Sequence, residues 1–119
     1  MTDIASVFTW RRRRVAVDAI TGEIDISNAR DLEAAIVSEL DPDVAGLVVD
    51  LGGLSFIDGS GVHLLYALSD RLRGRGLGFA LVVDSGSPPQ RVLELSGERP
   101  QGWIYASEDD ALRAVLEAG

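Results

Sequence analysis

Apolar runs of β character alternate with helix-patterned segments four times along this chain, and that alternation leaves few folds open. Val15-Ala16-Val17-Asp18-Ala19-Ile20 is β-like and ends at Thr21-Gly22. Val7 to Arg12 is a candidate partner strand for it, joined through the charged connection Arg11 to Arg14. Ala45 to Leu51 is almost continuously apolar, as expected of a strand covered on both faces. Phe79-Ala80-Leu81-Val82-Val83 and Trp103-Ile104-Tyr105-Ala106 complete the set. From Asn28, a candidate N-cap with Asp31 three residues on, Leu32, Ala35, Ile36 and Leu40 recur at helical spacing until Pro42. Val62, Leu65, Leu68 and Leu72 mark a second helix, broken by Gly74, Gly76 and Gly78. Ser87-Pro88-Pro89 opens a short third helix that Gly97 closes. Ser107 to Asp110 caps a last one carrying Ala111, Leu112, Val115 and Leu116. Such alternation implies a largely parallel sheet with right-handed crossovers. The expected fold is α/β: one domain over residues 1–119, with a mixed, mostly parallel sheet of about five strands and about four helices.

With 119 residues, folding buries roughly two-thirds of the chain's surface, enough for a core without staples. Cysteine is absent, which removes disulfides, thiolate metal sites and a cysteine nucleophile. His63 is the one histidine, so a multi-histidine metal site is excluded as well. The net charge of −8, from 19 acidic against 11 basic residues, disfavours nucleic acid and anionic membranes as partners. Arg11 to Arg14 reads as a solvated turn, not a nucleic-acid patch. No apolar stretch is long enough to span a bilayer and no signal-peptide core is present, so a cytoplasmic protein is expected.

One segment stands out chemically. Leu54 to Val62 reads Leu-Ser-Phe-Ile-Asp-Gly-Ser-Gly-Val, which sets Ser60 between two glycines where a strand hands over to a helix. A hydroxyl there is accessible and lies at the amide-rich end of a helix. It suits a modified or reactive serine, against the plainer reading of an ordinary helix-start serine. Asp58 is equally a good N-cap. A Ser60/His63/Asp58 hydrolase lacks the G-x-S-x-G elbow, because position 58 is aspartate. Nor does Gly59-Ser60-Gly61 continue into the G-K-[ST] of a P-loop.

Four pieces, in order, resemble the STAS domain family of the anti-sigma factor antagonist type. Gly22-Glu23-Ile24-Asp25 looks like its G-E-(L/I)-D loop. Leu47 to Leu51 followed by Phe56-Ile57-Asp58-Gly59-Ser60-Gly61-Val62 looks like its strand and D-S-S-G-(L/V) phosphorylation loop. Arg91 to Gly97 resembles its third helix and Ser107 to Leu112 its last, whereas Glu98 to Gly102 fits poorly. The resemblance implies that Ser60 is the phosphoacceptor, with Asp25, Asp58, Gly59, Gly61, Val62 and His63 around it contacting a partner. For Asp25 an interface role and a structural one both remain open, and His63 also reads as a solvent-facing helix residue. Gly59 departs from the usual serine and leaves Ser60 as the only hydroxyl in its loop.

The implied partners are an anti-sigma factor with serine kinase activity and a serine phosphatase. The chain itself would be a non-enzymatic monomer or weak dimer without cofactor or metal, ATP and Mg²⁺ belonging to the kinase. Another role open to the family is a scaffold or accessory subunit working by protein contact without a phospho-switch. A phosphate on Ser60 would add about −1.5 to −2 charge beside Asp58. The helix dipole and free amides would offset the repulsion by roughly 0.3–1 kcal/mol, so the effect is expected on binding and not on folding.

Overall fold

The computed structural model describes residues 5–95 and 103–118. In chain order these form β1 (Ala5–Arg12), β2 (Val15–Ile24), α1 (Ala29–Glu39), β3 (Gly46–Ile57), α2 (Gly59–Gly74), β4 (Gly78–Val82), α3 (Pro88–Leu95), β5 (Ile104–Tyr105) and α4 (Glu108–Ala118). The sheet runs β1-β2-β3-β4-β5. Only the β1–β2 pairing is antiparallel; the other neighbours are parallel, as the alternation of patterns requires. Gly97 and the Glu98 to Gly102 segment lie outside the described residues.

Period-two alternation sorts the strand residues onto two faces. In β3, Leu47, Val49 and Leu51 join the larger core with Ile20, Ile24, Ile36, Leu65 and Leu68. Val48 points the other way, to a smaller cluster with Val15, Val17, Ala80, Ala111, Leu112 and Val115. Both faces of β3 are therefore covered, and its apolar run has its explanation. Trp103 is buried, with its ring centroid 5.4 Å from those of both Tyr66 and Phe79. Trp10 is 39% exposed on the edge strand, so the two tryptophans divide between core and rim.

Three local expectations give way. β3 does not stop at Leu51 but continues to Ile57. Gly52 and Gly53 lie in a bulge within it: β2 advances from Ala19 to Thr21 while β3 advances from Asp50 to Gly53. The Asp50 carboxylate accepts the Gly52 N–H at 2.8 Å, and a Cβ on Gly53 would lie 2.7 Å from Thr21 Cγ2. In α1, Ala35 is exposed; the inward stripe is Ala29, Leu32, Ile36 and Leu40. The arginine run is not simply solvated either. Arg11 meets Asp41 at 2.8 Å, Arg12 meets Asp109 at 2.9 Å, and Arg13 turns the hairpin at φ 58°. Such exposed pairs contribute about 0–1 kcal/mol each, so they tie the hairpin down only lightly.

Candidate functional site

The parallel strands β2 and β3 end side by side at the register partners Ile24 and Ile57. Each is followed by an aspartate and then a helix. Asp58 N–H donates to the Ile24 carbonyl at 3.3 Å, which fastens one strand end to the other. Asp58 is the N-cap of α2, with extended backbone (φ −114°, ψ −169°). Its Oδ1 accepts the N–H of Ser60 at 2.9 Å and of Gly61 at 3.2 Å, and its carbonyl accepts the Val62 N–H at 3.0 Å. A cap of this kind contributes about 1 kcal/mol.

The first turn of α2 presses against the strand ends. A Cβ on Gly61 would fall 2.4 Å from Ile57 Cγ1 and 3.1 Å from Ile24 Cγ2. Glycine is therefore a packing requirement at this position. Val62 is buried beside it in the main core. Gly61 and Val62 thus seat the helix, whereas Gly59 is exposed with open space around it.

Ser60 lies in that first turn, half-buried, and its hydroxyl has no hydrogen-bond partner among the described residues. The expectation of free amides beside it is corrected. Those of Ser60, Gly61 and Val62 all bind Asp58, so among the first amides of α2 that of Gly59 is left, beside the helix dipole, to favour an anion.

The neighbouring loop is built around Asp25. Its Oδ1 accepts the Ser27 N–H at 2.8 Å and the Ser27 hydroxyl at 2.6 Å. The Ser27 hydroxyl first, and its amide second, hold the Asp25 carboxyl below its ordinary range. Asn28, expected to cap α1, makes no side-chain cap bond. Its Oδ1 accepts the Asp25 N–H at 3.0 Å and its Nδ2 donates to the Glu23 carbonyl at 2.9 Å, so the side chain braces the loop instead. The turn throws Ile26 outward, 83% exposed.

Ile26, Ser27, Arg30, Gly59, Ser60 and His63 line one open depression of about 770 Å³ between the starts of α1 and α2. Ile26 and Arg30 escape sequence reasoning. The β run reads as ending at Thr21-Gly22, whereas β2 continues to Ile24 and the Asp25–Ser27 turn then ends it, which throws Ile26 outward. His63 is exposed one turn beyond Ser60, with no hydrogen bond to Ser60 or Asp58. The Asp58 Oδ1 is committed to two amides. A nucleophile–base–acid relay is thus not assembled. No group of three or more metal-ligating side chains occurs among the described residues, and no helix there is long and apolar enough to cross a membrane.

Comparison with known proteins shows the family and the fold. The model of the STAS domain family matches residues 11–111. The chain is 35% identical over 101 residues to the anti-sigma-F factor antagonist RsfB of Mycobacterium tuberculosis, covering 85% of this chain and 81% of that one. It superposes on the crystal structure of an anti-sigma factor antagonist from Mycobacterium paratuberculosis with a TM-score of 0.83, at 31% identity and 94% coverage of both chains. The Bacillus cell fate determinant SpoIIAA, solved in its phosphorylated form, aligns with a TM-score of 0.64 at 25% identity, covering 92% of this chain and 99% of that one.

Proposed function

Because the chain belongs to the STAS domain family, we propose that it acts as an anti-sigma factor antagonist switched by phosphorylation of Ser60. Unphosphorylated, it binds an anti-sigma factor that is also a serine kinase, through the depression between α1 and α2. That sequestration releases a sigma factor for transcription. The kinase then transfers the γ-phosphoryl group of ATP to Ser60 Oγ, releasing ADP and the hydroxyl proton, and a separate serine phosphatase reverses the step. The chain supplies no catalytic group, and ATP and Mg²⁺ stay with the kinase. All of this takes place in the cytoplasm.

The observation that carries the reading is the state of Ser60. Its amide is pinned by Asp58, while its hydroxyl has no partner among the described residues and lies at an open surface beside exposed Ile26 and His63. Such a hydroxyl is available to a kinase at little cost to the fold. In this reading the exposed Gly59 and His63 and the Asp25 loop meet the partner directly, while Asp58, Gly61 and Val62, through the cap and the close packing, hold the loop in shape. Inserting a dianion into a contact shaped around a hydroxyl desolvates charge without a partner, which costs several kcal/mol.

The deciding experiment mixes the protein with its cognate anti-sigma kinase and ATP, maps phosphate by mass spectrometry and follows the complex by calorimetry. Phosphate on Ser60 together with release of the complex is expected. A protein that neither binds nor is modified is a scaffold or accessory subunit instead.

A further inference from the structure

We infer that a phosphoryl group on Ser60 is held within this same molecule, by the guanidinium of Arg30 on α1 and the imidazole of His63 on α2. The inference rests on the reading of Ser60 as the phosphoacceptor, and it says where the added charge goes.

Three observations lead there. First, the backbone offers at most the Gly59 amide, because those of Ser60, Gly61 and Val62 are taken by Asp58, so the other phosphate oxygens must find side-chain donors. Second, Arg30 lines the same depression as Ser60 and forms no ion pair or hydrogen bond among the described residues. Glu33, one turn further along α1, is occupied with Arg71 of α2 at 3.4 Å, which leaves the Arg30 guanidinium uncommitted. Third, His63 follows Ser60 by three residues on α2, a spacing that puts both side chains on one face about 5–6 Å apart at Cβ. Arg30 and His63 are the basic side chains in the lining of the depression.

The surroundings make the alternative distinct. The chain carries a net −8, and Asp31, Glu33, Asp25 and Asp58 stand on the elements around Ser60. An uncradled phosphate there would feel mainly carboxylates and hold its second proton more tightly than free phosphoserine, whose second pKa is about 6. A phosphate against Arg30 and His63 would release that proton more readily. In the modified protein the two cations are then spent on their own chain, and the depression is filled. A partner loses both the cavity and the cations in one step.

The test places phosphoserine at position 60 during translation, so the outcome does not depend on any kinase. Phosphorus NMR then titrates the phosphate in the wild type, in Arg30→Gln, in His63→Gln and in the double variant, with thermal melts confirming the fold. The expected wild-type midpoint lies about 0.5–1 unit below 6, and the double variant returns it to about 6 or above. A wild-type midpoint at or above about 6, or a lowered one that survives both substitutions, overturns the cradle. A kinase that ignores Ser60 would remove the proposed function while leaving this result standing.

Discussion

The strand ends that meet at Ile24 and Ile57 carry the same four-residue pattern, Ile-Asp-x-Ser, and put it to different uses. In Ile24-Asp25-Ile26-Ser27 the carboxylate takes both the amide and the hydroxyl of the serine. In Ile57-Asp58-Gly59-Ser60 it takes the amides of Ser60 and Gly61 and leaves the hydroxyl alone. The cause is where each helix begins. α2 starts at Gly59, directly after Asp58, so this aspartate is the cap and reaches two successive helical amides. α1 starts only at Ala29, so Asp25 closes a free-standing turn in which the Ser27 hydroxyl folds back. A shift of three residues between the serine and the start of its helix separates a locked hydroxyl from an available one.

The largest effect expected from this contrast is on modification and binding. Ser60→Ala should abolish phosphate incorporation by the cognate kinase, while Ser27→Ala should leave it intact. Ser60→Asp should weaken partner binding by over a hundredfold, the equivalent of about 3 kcal/mol, with the melting temperature within a few degrees of wild type. Phosphate appearing on Ser27, or unfolding of Ser60→Asp, would break the contrast at its root.

Next in size are the two glycines that flank Ser60. Gly61→Ala drives a Cβ into Ile57 and should cost about 1–3 kcal/mol in urea unfolding. Gly59→Ala meets nothing within 4 Å and should be neutral or gain up to about 1 kcal/mol. Equal losses at the two positions would mean that α2 is not wedged against the strand ends. Asp58→Ala should follow at about 0.5–2 kcal/mol, through loss of the cap. The corresponding change at Asp25 should move the urea midpoint less, because that turn stands outside its helix.

Much of this architecture is legible in the residues. Strand–helix order, the parallel sheet with one antiparallel edge, and the two-sided burial of Leu47 to Leu51 follow from periodicity, which senses what is buried. Ser60 and Asp58 are legible because a strand, two glycines and a helix bracket them. What escapes is set by partners distant in sequence or by rival local bonds. The continuation of β3 past Leu51 escapes because the bulge at Gly52 and Gly53 becomes visible only with β2 alongside. Asn28 reads as a cap because nothing local tells that Glu23 and Asp25 claim its side chain. Arg30 gains meaning only when the starts of α1 and α2 are brought to one depression.

The smallest effect concerns protons, and it follows from the bond that Ser27 makes and Ser60 does not. Hydrogen bonds from the Ser27 hydroxyl and amide favour the ionised form of Asp25, so its folded pKa lies below the ordinary 3.8. A lowered folded pKa means that the stabilisation is present above about pH 4 and is lost as pH falls through the folded value. Asp18 on β2 works in the opposite sense. Burial is the main cause that pushes its carboxyl up, a hydrogen bond from Thr9 partly opposes this, and Glu39 adds to the rise. The global acid profile therefore mixes two opposed signs, and the clean readout is the carboxyl resonance of Asp25 itself. Its titration midpoint should lie below 3.8 in the wild type and move up toward that value in Ser27→Ala. Ser60→Ala should leave it where it is, because the Ser60 hydroxyl is bonded to neither aspartate. A midpoint that ignores Ser27 would mean that the two Ile-Asp-x-Ser turns do not differ in solution as their geometry requires.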